Sequence, residues 1–407
     1  MISLARALAL IAAVLCGLAS EARAYDLTET EALRLLREGP YHRELRARVE
    51  IARARSRQGT FYPNPSVSTT FESAGRTDFY MFEQPLALNG RLRLLSQAGE
   101  SLVAAADSLA EHELRGIEAQ VRRAFHRLAH AQRREHRIRA GIVDLRELHR
   151  ILEERESAGE GSKFDRLRAE REIVESETEL AGAEAAIAEA QASLASYLGA
   201  AVDSEGLVAN GTLLPAYPLP ALADAIADGL AARSDYRVEA DRIREHEFRA
   251  AAAGRQRIPN PVVSGGLKRA DVGDRTANGP VLAVSIGLPV FDKGRSDRQL
   301  AEAEAARARA SREIIETRIR AEVRSAHAAL RIRRRIADEY GAGSGSRAAE
   351  IRRIAEVAYR EGEIRILDLL DAYRVAQAAE LRLLELRADA KLAEVNFDWA
   401  LARKLIP

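Results

Sequence analysis

The chain has 407 residues, of which 30% are charged and 5% aromatic, with long tracts of Ala, Leu, Glu and Arg. That is the balance of long helices and coiled coils, and it argues against a string of compact domains. A formal charge of +1 leaves no basic excess to displace counterions from phosphates, which excludes nucleic acid as a partner; the arginines alternate with Glu and Asp, as on solvated helix faces.

Residues 1–24 differ from the rest. Arg6 precedes an apolar run from Ala7 to Ala19, and Ala22-Arg23-Ala24 closes it in A-x-A form, the pattern of a secretory signal peptide cleaved after Ala24. The only cysteine, Cys16, follows the bulky Leu15, where a lipoprotein signal needs a small residue. Lipidation is therefore not expected, and the mature chain has no thiol, as suits an oxidising compartment. After Tyr25 no stretch approaches the roughly 18 apolar residues of a transmembrane helix. A mature chain that crosses a membrane must do so with strands.

Thr28-Glu29-Thr30-Glu31 reads as a capping box opening a helix towards Gln58. Pro63 and Pro65 end it, having no N–H to continue the ladder. Two segments of strand character follow, Ser66 to Glu72 and Phe79 to Leu86, around a turn at residues 74–78. A very long helix begins after Gly90. Within it Ile117, Val121, Ala124, Leu128 and Ala131 step by four and three, and Ile138, Ile142, Leu145 and Leu152 resume that seam, the 3.5-residue repeat of a coiled coil. Running from Leu92 to Ser157, it would be about 100 Å long at a rise of about 1.5 Å per residue. The chain reverses at Ala158-Gly159-Glu160-Gly161, Ser162 caps the returning helix with Asp165 at N3, and Ile173, Leu180, Ile187 and Leu194 recur every seven residues as the partner seam. Pro215, Pro218 and Pro220 mark a linker.

From there the plan repeats. "YPNPSV" returns as "IPNPVV", 196 residues on. "PLALNGR" returns as "PVFDKGR", 204 on. "AGEGSKFDRLRAE" returns as "EGEIRILDLLDAY", with Gly159, Asp165, Leu167 and Ala169 falling on Gly362, Asp368, Leu370 and Ala372, all 203 on. Landmarks in the same order mean a duplication, with copies at residues 25–210 and 211–407. The second copy has strand segments at Val262 to Lys268 and Val281 to Val290, joined by a Gly/Asp/Asn-rich loop. Leu282, Val284, Ile286 and Leu288 share one face against Val281, Ala283, Ser285 and Gly287, one face greasy and the other small or polar. A second long helix follows Gly294, and in the last helix Ala388, Leu392, Val395, Trp399 and Ala402 form a seam.

Four strands cannot close a membrane barrel, which needs at least eight; three chains would supply twelve. With its signal peptide, duplicated strand-strand-hairpin unit, Asn-Pro before the first strand of each pair, P-x-x-x-x-G-R after the second and the Gly-x5-Asp-x-Leu tip, the chain resembles the TolC family of outer-membrane efflux proteins over essentially all of its mature length. The "QPLALNGR" stretch and short length are closest to the heavy-metal branch, which works with cation-exporting resistance-nodulation-division pumps. The resemblance implies a mainly α fold with a β contribution: a homotrimer with a 12-stranded β-barrel in the lipid of the outer membrane and a coiled-coil tunnel in the periplasm. It implies an adaptor protein and an inner-membrane pump as partners, no catalysis and no cofactor.

Carried over residue by residue, the resemblance makes Gly159, Gly161 and Gly362 the tip turns that dock an adaptor. Asp165, Asp368 and Asp371 become gate acids, and Tyr359 the tyrosine that latches the closed state. The basic latch position is occupied by Ile364, with Arg365 one residue later as its substitute. Like charges about 8 Å apart at an effective dielectric near 20 repel by roughly 2 kcal/mol per pair, so a ring of Asp368 and Asp371 would favour cations. The same acids also suit a plainer role, Asp165 beside an N-cap and Asp368 on the helix dipole.

Three features admit two readings each. Gly341-Ala342-Gly343-Ser344-Gly345-Ser346 interrupts the second long helix, as a hinge or as a solvated break. His126 and His130 are four apart, a metal-binding spacing without an obvious third ligand; a solvated helix face is the expected outcome. Paired hairpins also occur in periplasmic adaptors and scaffolds, although those are richer in short strands, and a protein-secretion channel would differ from an efflux channel mainly in its partner. The sequence holds no nucleophile elbow or phosphate loop, so an enzyme is not expected.

Overall fold

The structure, a computed structural model, describes residues 25–73, 76–199 and 202–403. The expected signal peptide and Cys16 lie outside the described residues. In chain order the elements are β1 (Tyr25–Leu27), α1 (Glu29–Glu38), α2 (Pro40–Ser56), β2 (Ser66–Glu72), β3 (Thr77–Pro85), α3 (Arg91–Ser157), α4 (Lys163–Leu198) and β4 (Leu207–Ala209). The second half continues with α5 (Leu222–Ala232), α6 (Ser234–Gly254), β5 (Pro261–Val272), β6 (Arg275–Ile286), α7 (Arg295–Tyr340), α8 (Ser346–Arg360) and α9 (Ile366–Ala400). Among the described residues no helix is long and apolar enough to cross a membrane.

Two compact units form, and each draws on both sequence copies. One comprises Glu44–Glu113 and Leu230–Arg320, the other the described residues up to Arg43, Leu114–Gly229 and the described residues from Ala321 onward.

The first unit carries one antiparallel sheet in the order β2-β3-β5-β6. Cross-strand partners alternate strictly, so one face collects Val67, Phe71, Tyr80, Phe82, Leu267, Leu282 and Val284. These side chains are exposed, Leu282 at 86% and Val67 at 78%. The opposite face carries Ser68, Thr70, Glu83, Ser264, Lys268 and Ser285. Exposed apolar groups on one face and polar groups on the other suit a wall between lipid and water. The second hairpin is longer than its pattern predicts. Its Gly/Asp/Asn-rich stretch continues the ladder to Val272 opposite Arg275, and only Gly273 and Asp274 turn, with Gly273 at φ 62°. Positive φ at the first central residue alone is the type II′ pattern, which wants glycine there.

Asn260, the asparagine of the second Pro-Asn-Pro, accepts hydrogen bonds at Oδ1 from the backbone N–H groups of Leu88 (3.1 Å) and Asn89 (3.2 Å). Asn89 donates in return to the carbonyls of Arg255 and Ile258. The two motifs noted separately in the sequence thus lock together at the seam between the copies. Gly90 and Gly294 both take positive φ, 75° and 73°, and the long helices start one residue later. The proline end of the motif does not superpose in the same way. Ser66 lies opposite Glu83, whereas its counterpart Val262 lies opposite Ser285. Pro85 therefore matches Gly287 and not Pro289, and two extra residues sit ahead of Gly294.

In the second unit, Val121, Leu128, Ile138, Ile142, Leu145 and Leu152 of α3 are buried, as the 3.5-residue seam requires. Leu194 is fully buried opposite them, while Ile173, Leu180 and Ile187 are partly buried against the same clusters. Two corrections apply. The predicted helix from Thr28 to Gln58 is two helices, broken at Gly39-Pro40 because Pro40 can start a helix but not continue one. The Gly-rich stretch after Tyr340 does not interrupt the helix; Gly341–Gly345 form a π-helical turn running directly into α8, an inserted wide turn in a continuing ladder. A parallel pairing of β1 with β4 has no counterpart in the sequence reading; three residues are too few to leave a period.

Candidate functional site: the hairpin turns and the buried ionic cluster

The α3–α4 and α8–α9 turns have the same construction. Gly159 and Gly362 take φ 80° and 77°, the left-handed conformation that side chains resist. Gly159 N–H bonds to Glu156 O and Glu160 N–H to Arg155 O; Gly362 N–H bonds to Tyr359 O and Glu363 N–H to Ala358 O. Both are Schellman turns, which satisfy the last helix carbonyls. Gly161 is needed for another reason: a Cβ there would come within 2.7 Å of the Glu156 nitrogen.

The returning helices start differently. Ser162 accepts from Phe164 N–H at 3.2 Å. At the equivalent place Arg365 has no side-chain oxygen to offer, and Asp368 supplies the cap by accepting Arg365 N–H at 3.1 Å. Asp368 thus fills the plainer role, and its carboxylate is exposed, as is that of Asp371; Asp165 is half-buried.

Behind the turns Leu145, Leu148, Leu152, Ala169, Ile366, Leu369 and Leu370 form a core, with Tyr359 packed against it. The Tyr359 ring carries the guanidinium of Arg155, from α3, 5.5 Å from its centroid. Burial raises the Tyr359 hydroxyl pKa, Arg155 opposes this, and Asp165 adds to it.

One group of residues escaped the sequence reading. Arg352 bonds to Asp144 at 2.5 Å and stacks 5.6 Å from the Tyr373 centroid, while Tyr373 donates to Glu356 at 2.9 Å. Arg374 pairs with Glu172. The Arg352–Asp144 and Arg374–Glu172 pairs tie the first hairpin to the second a few turns above the tips. Partners about 200 residues apart leave no local signal in one sequence.

His126 corrects the expectation of a solvated face. It is 1% exposed, with Nε2 3.0 Å from Glu29 Oε2 and Nδ1 buried without a partner. Arg122 donates to the same Glu29 and, at 2.9 Å, to Asp398. Asp398 also accepts from the Tyr217 hydroxyl and pairs with Arg403. Nearby Glu394 takes Lys391 at 2.6 Å, Arg334 at 3.2 Å and the Ala216 N–H at 2.7 Å. Burial would raise the Glu29 carboxyl, but the His126 bond and the Arg122 charge outweigh it and hold it at about 2. Burial pushes the His126 pKa down despite Glu29, and lowers that of half-buried His130 as well. His126 is therefore spent in an ion-pair cluster joining α1, α3, the linker and the last helix. Among the described residues no group of three His, Cys, Asp or Glu side chains could hold a metal.

No protein-family model matches the sequence, and no curated protein matches it. Solved structures do. A membrane protein from Pseudomonas aeruginosa is 20% identical over 92% of each chain, with a TM-score of 0.73. The MtrE outer-membrane channel of Neisseria gonorrhoeae, in its open state, is 17% identical over 92% of this chain and 88% of that one, TM-score 0.73. The outer-membrane channel OprN is 20% identical over 92% and 90%, TM-score 0.71. The chain has the fold of these outer-membrane channels.

Proposed function

We propose that three copies of this chain form an outer-membrane channel of the TolC family, a passive conduit carrying substrate from an inner-membrane pump and a periplasmic adaptor to the outside. The observation that carries this reading is the amphipathic sheet. It has an exposed apolar face, a polar face and two unpaired edges, and water-soluble proteins rarely leave such an edge and face open. Two copies would give eight strands, whose interior side chains fill; three give twelve and room for a lumen. Exposed apolar positions on the second unit agree: Ile351, Ile354 and Val357 recur along α8 at 48–56% exposure, a face that a further copy would cover.

In this reading the Gly159 and Gly362 turns meet the adaptor, and Asp165, Tyr359, Arg365, Asp368 and Asp371 ring the periplasmic opening. The exposed Asp368 and Asp371 favour cations as cargo, in keeping with the pumps of the heavy-metal branch. The deciding experiment is the detergent-corrected mass of the full-length product recovered from outer membranes. A trimer supports the channel; a soluble periplasmic monomer would remove it.

A further inference from the structure

The sheet holds two hairpins built alike, with β3 of the first paired to β5 of the second and β2 and β6 left as edges. The relation between the hairpins can be read at two places. Ser66 opposite Glu83 corresponds to Val262 opposite Ser285. Below the strands, Leu88 N–H bonds to Leu86 O in the first copy, and Val290 N–H to Leu288 O in the second. Both place a residue of β6, or of the stretch just after it, 202 positions after its counterpart in or just after β3, while β5 follows β2 by 196. The β3–β5 seam then becomes a template for a β6–β2 seam between copies.

Under that template Glu83 opposite Ser264 and Tyr80 opposite Leu267 become Ser285 opposite Ser68 and Leu282 opposite Phe71 of a second copy. Gln84 opposite Val263 becomes Ile286 opposite Val67. Each predicted pair lies on one face, apolar with apolar and serine with serine, which a one-residue slip would destroy. Asn64 falls where Asn260 stands. The backbone N–H groups matching Leu88 and Asn89 are those of Val290 and Phe291. Phe291 is fully exposed, on the side of the sheet where the second copy would arrive.

We propose that the copies close the barrel by pairing β6 of one with β2 of the next in the register that sets Ser285 opposite Ser68. Asn64 of that next copy accepts from Val290 and Phe291 as Asn260 does from Leu88 and Asn89. This rests on the trimeric reading and adds the interface to it. The rival register comes from aligning Pro289 with Pro85. It differs by two residues and sets Ser285 opposite Thr70.

Cysteine pairs separate the two. Leu86 N–H bonds to Pro261 O, so the alternation along the β3–β5 seam makes Glu83 with Ser264 a non-hydrogen-bonded pair. The Ser285–Ser68 pair inherits that spacing, with Cα atoms about 4.5 Å apart and inside disulfide range. Within one chain the two serines lie on opposite edges, three strand spacings or about 14 Å across the sheet and four residues or about 13 Å along it, so any link joins two copies.

In full-length protein with Cys16→Ser, the pair Ser68→Cys with Ser285→Cys is oxidised in outer membranes and run without reductant, beside Thr70→Cys with Ser285→Cys and each single variant. The expected result is a covalent trimer from the Ser68 pair, on the order of tenfold more than from the Thr70 pair, and none from the single variants. Preferential linking of the Thr70 pair overturns this register. So does a detergent-corrected trimer that links in neither pair, with the channel reading intact. A monomer by mass overturns both.

Discussion

Gly159 and Gly362, 203 residues apart in the chain, hold the same left-handed turn with the same pair of closing hydrogen bonds. Nothing within 4 Å opposes an added Cβ at either position, so the cost of alanine there is conformational. Gly159→Ala and Gly362→Ala are each expected to destabilise by about 1–2 kcal/mol. Gly182→Ala supplies the contrast: it lies inside α4 with open space around it, and alanine there is expected to stabilise by about 0.5–1 kcal/mol. Thermal unfolding midpoints of the detergent-solubilised protein check both signs.

At the seam between the copies, Asn260→Ala removes one acceptor from two backbone donors. The bonds are exposed, so the expected loss is about 1 kcal/mol, and Asn260→Asp, which keeps the acceptor, recovers it. Chemical-denaturant midpoints should rank wild type and Asp together, above Ala.

The buried cluster predicts a pH dependence. The Glu29 carboxyl is held at about 2, below its unfolded value near 4.5. Its contribution is fully present above pH 4.5 and is lost as pH falls towards 2. His126 is depressed by burial, so below its unfolded value near 6.5 protons favour the unfolded chain. Both groups therefore drain stability towards acid, His126 first. His126→Gln should flatten the upper limb of a stability-against-pH curve, from about pH 6.5 down to the unfolded Glu29 value near 4.5, and, because the His126 bond helps hold Glu29 down, make the lower limb shallower as well. A mutant curve parallel to wild type across that interval would exclude His126 as its source.

Much of the fold was legible because long repeats leave long periods. The a/d seam from Val121 to Leu152, the tips and the capping residues Thr28 and Ser162 stand where pattern and cap chemistry put them. The misses have physical causes. Pro40 reads as a helix residue or a helix start with equal ease, and the GAGSG stretch looks like a break because glycine disfavours helix, although a π-turn keeps the ladder intact. His126 looked solvated since a single helix cannot reveal that Glu29, nearly a hundred residues away, covers it. The matching P-x-x-x-x-G-R motifs misled at their proline ends, where hydrogen-bond register, and not letter identity, fixes the counterpart.

Arg122 bridges Glu29 and Asp398 with its side chain 5% exposed and that of Asp398 2% exposed. Removing one partner of such a pair strands the other's charge. Asp398→Ala or Arg122→Ala is expected to cost about 3–5 kcal/mol, enough to lower the yield of folded protein. The double replacement should cost less than the two single losses added together, since it leaves no lone charge in the Arg122–Asp398 pair. A double-mutant cycle on unfolding midpoints measures that coupling.

The tip acids can be tested without disturbing the turn. Asp368→Asn keeps an oxygen to accept Arg365 N–H, and Asp371 is exposed in the first turns of α9, so neither change should alter folding. If these carboxylates ring an axial opening, neutralising both removes six charges from three copies. Single-channel recordings in a planar bilayer should then show cation selectivity falling severalfold and block by added divalent cations weakened, with Asp371→Asn alone in between. Selectivity and block equal to wild type in the double variant would assign Asp368 to capping alone and place the selective region elsewhere along the conduit. Arg352→Gln probes the same opening from behind. Without its bond to Asp144 the first hairpin loses one tie to the second, and easier separation of the hairpins predicts more frequent openings with unchanged ion preference. The two variants thus read charge and mobility independently.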